Sequence, residues 1–249
     1  MSLPVLITYS NFGYIEFAKN LILNLEKNTK HHKLHFYCLD KETYDELSAN
    51  PYPFLTVQLF VKDVSKEFES YNQAKYNKIT HTKISVLEDA LARYSFIHFI
   101  DCDVVCIHEP SPEIYAPYAK YDIVFQYDWE FNNNIPIDLF GYWQCTGNMS
   151  MRRTAGTYLF LKKLAQYQTL RPDLNDQQCM RMMFKKRLIN FSKSILHVPG
   201  MKLYAYPPEQ FTNGLWDGDM SQCCFFHANY AIGKESKIDL LKKVNEWLV

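Results

Sequence analysis

The chain has 249 residues, and its 27 Lys plus Arg balance 27 Asp plus Glu, so no net charge favours nucleic acid or an anionic membrane. Hydrophobic residues at 47% and aromatics at 16% support a sizeable core and exclude a disordered chain. No apolar run approaches the ~20 residues of a membrane helix, and seven cysteines without C-x-x-C spacing or a secretory signal suit reduced thiols in a cytoplasmic, reducing compartment.

Nothing in the chain resembles a linker, and one domain over residues 1–249 is expected. Pro4 to Tyr9 is a short apolar, β-branched strand broken at Ser10-Asn-Phe-Gly13. Tyr14 to Asn28 places Ile15, Ala18, Leu21, Ile22 and Leu25 on one helical face. Leu34 to Leu39 reads as a second strand, Lys41 to Ser48 as a short helix and Thr56 to Phe60 as a third strand. This alternation predicts an α/β fold with a largely parallel sheet covered on both faces.

Phe68 to Tyr76 is polar and aromatic and reads as a loop. Thr80 to Tyr94 follows as a helix on Ile84, Leu87, Ala90 and Leu91. It leads into Phe96-Ile-His-Phe-Ile-Asp-Cys-Asp-Val-Val105, a buried strand that ends in two aspartates one residue apart. Residues two apart on an extended segment share a face, so both carboxylates can converge on one cation. Alone, such a pair commonly opens a solvated turn.

Beyond a short helix after Pro112, a strand is expected at Asp122 to Gln126. Tyr127 to Gly141, with Asn132 to Asn134, is irregular and suits a substrate loop. Trp143 to Met151 reads as a strand entered through a turn at Gly147, and Thr154 to Tyr167 as a helix. Asp173-Leu-Asn-Asp-Gln-Gln178 caps another helix, with Cys179, Met182 and Met183 as its apolar face. Gln222 to His227 is a last strand with a histidine at its tip, and Lys237 to Leu248 a closing helix.

Open α/β sheets bind ligands beyond the carboxyl ends of their strands. Thr8 to Asn11 and Asp101 to Asp103 both lie at such ends. A lone strand-end histidine is commonly a core residue, but His227 with Asp101 and Asp103 makes a mixed oxygen and nitrogen donor set. That set suits Mn²⁺ or Mg²⁺ with positions open for phosphate oxygens. Lys234, Lys237 and the permissive Gly233 follow immediately.

Together, Ile100-Asp-Cys-Asp-Val-Val105, Thr146-Gly-Asn-Met149, Asn175-Asp-Gln-Gln178, Phe211-Thr-Asn-Gly214 and His227-Ala-Asn-Tyr with Gly233 and Lys237 resemble the nucleotide-diphospho-sugar transferase family. The resemblance covers most of the chain. It implies a GT-A (Rossmann-like) α/β/α sandwich and a metal-dependent glycosyltransferase that moves a sugar from a nucleoside-diphosphate donor, UDP foremost, to a hydroxyl of a glycan or glycoprotein.

On this resemblance Asp103 binds the metal, Asp101 contacts ribose or donor sugar and the metal, and His227 completes the set. Lys237 holds the departing diphosphate, with Gly233 and Cys102 on the donor. Thr8, Tyr9 and Asn11 face the nucleoside, and Lys83 reaches donor phosphate or sugar. Thr146, Gly147, Asn148 and Gln177 shape the sugar pocket. Asp176 is the catalytic carboxylate, and Asp128 is the second candidate.

His-x-x-x-x-x-Gly departs from the His-x-x-Gly of glycogenin-like relatives. The departure shifts the likeness toward soluble and viral members, for which the compartment would be a host cytoplasm and the acceptor a capsid glycan. A nucleotidyltransferase or sugar-nucleotide pyrophosphorylase would also join an α/β sheet to acidic metal ligands, but it usually carries a Gly-rich loop after the first strand, and Ser10-Asn-Phe-Gly13 is not one. A non-catalytic carbohydrate-binding module would account for the aromatics but needs no metal set.

Overall fold

Strands and helices alternate because each apolar, β-branched run is cut by a polar turn and followed by apolar residues at helical spacing. The structure, a computed structural model, describes residues 2–71, 73–128, 144–185 and 195–249. The first half runs β1 (Val5–Ser10), α1 (Ile15–Asn28), β2 (Leu34–Cys38), α2 (Lys41–Ser48), β3 (Leu55–Leu59), α3 (Ala74–His81), α4 (Lys83–Arg93), β4 (Phe96–Ile100) and β5 (Val104–Cys106). The second runs α5 (Pro112–Tyr115), β6 (Ile123–Tyr127), β7 (Gln144–Arg152), α6 (Ala155–Leu170), α7 (Asp176–Lys185), β8 (Ile195–Val198), β9 (Met201–Ala205), β10 (Phe211–Asn213), β11 (Phe225–His227) and α8 (Lys234–Lys243).

Eight of these strands form one sheet in the order β3-β2-β1-β4-β7-β6-β9-β8. The β3-β2-β1-β4 half is parallel, as is the β6/β9 pair, while β7 is antiparallel to both β4 and β6. The fold is therefore the α/β arrangement with a mostly parallel mixed sheet that the alternation predicts. β4 shows how the sheet divides its core. Phe96 and Ile100 enter one apolar layer with Phe17, Leu21 and Leu25 of α1, whereas Ile97 and Phe99 enter the other with Leu87 of α4 and Phe160 of α6. Alternation along the strand produces the two layers, and each fully buried side chain contributes about 1.5–3 kcal/mol.

A second sheet, β10-β11-β5, packs on the α1 side. Its antiparallel register sets His227 of β11 opposite Val104 of β5, the residue after Asp103. A histidine far downstream in sequence thus comes to rest beside the aspartate pair. The outer end of β5 is closed by α1: the Asn24 side chain takes the Cys106 N–H at 2.8 Å and donates to its carbonyl at 3.0 Å. Asn20 and Asn28, one turn away on either side, bind the C-terminal Glu246, so α1 carries a buried polar stripe within its apolar face.

Several boundaries differ from the sequence reading. The segment read as a loop up to Tyr76 already holds the start of α3, which is tied down by the Asn77 side chain donating to the Asp173 carbonyl at 2.8 Å. The helix read from Thr80 begins as α4 only at Lys83. The closing helix ends at Lys243, before Asn245 at φ 59°, and Trp247 packs edge-on against Phe17. On α7, Met180, Met183 and Phe184 are buried with Cys179, while Met182 is half-buried. Of the expected irregular loop at 127–141, residues 129–141 lie outside the described residues. No helix among the described residues is long and apolar enough to cross a membrane.

Candidate active site

β1 and β4 are parallel neighbours, so their carboxyl ends open on the same edge of the sheet. There a cavity of about 380 Å³ is lined by Tyr9, Ser10 and Asn11 from the end of β1 and by Asp101, Cys102 and Asp103 after β4. Its other walls come from Lys83 of α4, Thr146 and Gly147 of β7, Asp176, Gln177 and Arg181 of α7, and His227, Gly233 and Lys237.

The aspartate pair sits in a tight turn closed by the Val104 N–H on the Asp101 carbonyl at 3.0 Å. Asp101, Asp103 and His227 each present a ligand atom, all within 4.8 Å of one another. Gly147 makes room for them. A Cβ built there would lie 2.4 Å from Asp101 Oδ2 and 2.5 Å from His227 Cε1. Gly147 comes this close because β7 bulges: Phe125 pairs with Met149 and Gln126 with Cys145, so residues 146–148 have no partners on β6. The turn expected at Gly147 is this bulge inside the strand.

The two aspartates have different neighbours. Asp103 Oδ1 lies 3.3 Å from His227 Nε2, and its Oδ2 contacts the Lys237 ammonium. Burial would raise the Asp103 pKa, but these two cations outweigh it and hold the carboxyl well below the usual range. Burial would likewise lower His227, yet the Asp103 carboxylate raises it to about 10. Asp101 is instead raised by burial, partly offset by Lys83.

Lys83, only 3% exposed, lies 2.7 Å from Asp176 Oδ2 and 3.4 Å from Asp101 Oδ1, and donates to the Thr146 carbonyl at 3.0 Å. Burial alone would lower its pKa, but the two carboxylates raise it. Asp176 is set by a capping box. Asn175 Oδ1 takes the Gln178 N–H at 2.9 Å while Gln178 Oε1 takes the Asn175 N–H at 3.0 Å, which leaves Asp176 at the first turn of α7 to face Lys83.

Gln177 reaches back to β7, accepting from the Thr146 N–H at 2.8 Å and hydroxyl at 2.9 Å, and donates to Asp128 at 3.1 Å. Asp128 also receives Arg181 at 3.1 Å and Asn229 at 2.6 Å. Burial raises its pKa to about 6 in spite of Arg181.

Two expected site residues do not line the cavity. Thr8 lies beneath it, 3.4 Å from Cys102 Sγ. Asn148 points to the opposite face, where its Oδ1 accepts from His98 at 2.6 Å. Burial lowers His98 to about 3, so it is a neutral core residue stacked on Tyr206 and Phe211. Asn11 lines the cavity, but its amide nitrogen is engaged by the Ser65 and Glu67 carbonyls at 2.6 and 2.9 Å.

Tyr14, Phe68 and Tyr76 form an aromatic wall that the sequence reading does not include, as do Arg181 and Asn229. Only the density of aromatics hinted at the first three. The second pair could have been found as polar residues one turn after Gln177 and two residues after His227.

A profile of nucleotide-diphospho-sugar transferases matches residues 29–241. Comparison with curated proteins finds no match. Among solved structures, the glycosyltransferase GlyE of Streptococcus pneumoniae TIGR4 superposes with a TM-score of 0.56 at 9% identity, over 91% of this chain and 54% of that one. The bifunctional glycosyltransferase WbbM gives 0.55 at 13% identity, over 96% and 50%. The galactosyltransferase LgtC, solved with donor and acceptor sugar analogues, gives 0.58 at 8% identity, over 89% and 86%.

The chain thus spans about half the length of GlyE and of WbbM. At these identities the likeness establishes a shared GT-A fold. With five sixths of its length inside that profile, the chain belongs to the nucleotide-diphospho-sugar transferase family.

Proposed function

We propose that the cavity takes a UDP-sugar together with Mn²⁺ or Mg²⁺ and transfers the sugar to a hydroxyl of a glycan or glycoprotein. The observation that carries this reading is the convergence of Asp101, Asp103 and His227 around a glycine that leaves room for them. Two carboxylates and an imidazole are a hard, mixed donor set that fits either cation. Asp103, His227 and Asp101 would hold it. When bound, the cation supplies positive charge to the leaving diphosphate.

The chain's own residues supply the rest. Transfer breaks the bond between the anomeric carbon and a phosphate oxygen, so negative charge grows on the diphosphate and positive charge on the sugar. Lys237, which lies against Asp103, adds a cation on the leaving-group side. Gly233, at φ 91° just before α8, lets the backbone come close.

On the sugar side, Asp176 is held by Lys83 as a fixed negative partner for the developing cation. Asp128, with its pKa near 6, can accept the proton of the acceptor hydroxyl at neutral pH. Thr146, Gly147 and Gln177 bound the sugar pocket. Tyr9 and Asn11 bound the nucleoside end, where Asn11 Oδ1 is buried with no partner among the described residues and suits an N–H donor. We take residues 1–249 as one domain acting in a reducing compartment, in keeping with seven free, buried cysteines.

Titration with Mn²⁺ and UDP tests the reading, because ligands of the native state raise its melting temperature. The expected outcome is a UDP-dependent rise that Mn²⁺ enlarges and that Asp103→Ala abolishes, together with a loss of transfer on the order of 10³-fold. No response to UDP with or without metal would overturn it.

A further inference from the structure

We propose that Gln126 is a positioning residue: it fixes which ring nitrogen of His227 faces the aspartates and ties that histidine to the sheet that carries Asp101. The inference rests on the reading of Asp101, Asp103 and His227 as a divalent-cation site. A histidine can ligate such a cation only through a nitrogen that carries no proton, so the other nitrogen must hold the proton and have somewhere to donate it.

His227 is 4% exposed, with Nε2 toward Asp103 and Nδ1 turned inward. Nδ1 lies 3.3 Å from Gln126 Oε1 and 3.4 Å from Cys145 Sγ. Gln126 is fully buried, and its side-chain amide has two ends that differ only in what they can offer. One end faces the Thr212 carbonyl at 2.7 Å. A carbonyl can only accept, so the NH₂ end must be there, which turns Oε1, a pure acceptor, toward His227. The proton is thereby kept on Nδ1, and Nε2, which faces Asp101 and Asp103 and without a cation holds the proton shared with Asp103, is the nitrogen that gives up its proton to ligate. Cys145 could not impose this choice. A thiol donates or accepts weakly, and this one already takes the Gly147 N–H at 3.3 Å.

The placement of Gln126 follows from the fold. It stands on β6 of the large sheet, opposite Cys145 at the point where β7 begins its bulge. Thr212 and His227 belong to β10 and β11 of the small sheet. One side chain therefore bridges the two sheets directly behind the site. Ile123, Val124 and Phe125, the residues of β6 before it, are all buried apolar groups. An apolar residue at 126 would fill the same space, so packing alone gives no reason for an amide there, and a buried amide is costly unless both its ends are satisfied.

The test uses the whole protein with UDP. Free Mn²⁺ is counted by electron paramagnetic resonance, and the His227 ring protons are assigned by two-bond proton–nitrogen NMR on the diamagnetic Mg²⁺–UDP complex. The wild type is expected to carry its proton on Nδ1. Gln126→Met is expected to weaken Mn²⁺ binding about 10–100-fold, and Gln126→Glu, whose buried, protonated carboxyl can donate to the Thr212 carbonyl and accept from Nδ1, to recover most of that loss.

A proton on Nε2 of the wild-type complex would overturn the inference, and needs no variant to be seen. So would unchanged Mn²⁺ affinity in Gln126→Met, or equal losses in Gln126→Met and Gln126→Glu, which would mark the residue as packing alone. If the wild type binds UDP but no Mn²⁺ or Mg²⁺, the cation site itself falls and this role falls with it. The two failures are thus told apart by the wild type.

Discussion

Asp101 and Asp103 are separated by one residue, yet they belong to opposite electrostatic regions. Around Asp101, two carboxylates, its own, which is one-third exposed, and that of the buried Asp176, share the single ammonium of Lys83. Around Asp103, one carboxylate meets two cations, Lys237 and a His227 whose pKa is raised to about 10. The first region has an excess of negative charge and the second an excess of positive charge. A glycosyl transfer develops charge in the complementary sense, with a cationic sugar and an anionic diphosphate. The two regions also answer differently to loss of a partner, since the Lys83–Asp176 pair is buried and the Lys237 contact is one-fifth exposed.

Removing the shared lysine should break the comparison most severely. Lys83→Met leaves the buried Asp176 carboxylate uncompensated and should cost about 3–5 kcal/mol of folding stability. Lys237→Met should cost far less, and urea unfolding of the two variants at neutral pH checks the contrast. Equal losses would mean the regions do not differ. Gly147→Ala comes next. Its Cβ would intrude on both Asp101 and His227, and a displacement of that order should lower kcat about 10²-fold, with Mn²⁺ binding weakened in parallel.

The mildest effect concerns Asp128. Its pKa of about 6 implies that the carboxylate needed to accept a proton is lost as pH falls below that value. The rate should therefore drop on the acid side with an apparent pKa near 6, and that limb should vanish in Asp128→Asn. A pH–rate profile with the limb intact in the variant would assign the proton to another group.

The legible parts of the molecule were those set by local pattern. The apolar and aromatic run from Phe96 to Ile100 gave the buried strand, and the acids after it could only lie at its carboxyl end. Asn175 and Gln178 are spaced as a capping pair, and that spacing does place Asp176 at a helix start. What escaped depended on partners remote in sequence.

Asn148 faces away from the cavity because it alternates with Gly147 in regular register with Ile100 of β4, and the bulge that brings Gly147 to the site is on the β6 side, where only the glycine hints at it. α3 was missed because its buried residues, Asn77, Ile79 and Thr80, include only one apolar side chain. Gln126 and the asparagines of α1 look like surface residues until the elements that cover them are known. Thr8 was placed one residue too early, since it is Tyr9 to Asn11 that reach the cavity.

The bulge in β7 also separates making the sheet from making the site. Cys145 and Met149 already pair with adjacent residues of β6, so excising Thr146, Gly147 and Asn148 would join them in regular antiparallel register. Cys145 would then take the place of Asn148 opposite Ile100 on β4. The ladder between β6 and β7 closes on either side of those three residues without them, so they serve the cavity, where Thr146 meets Lys83 and Gln177 and the Gly147 carbonyl takes the Asp101 N–H at 2.7 Å.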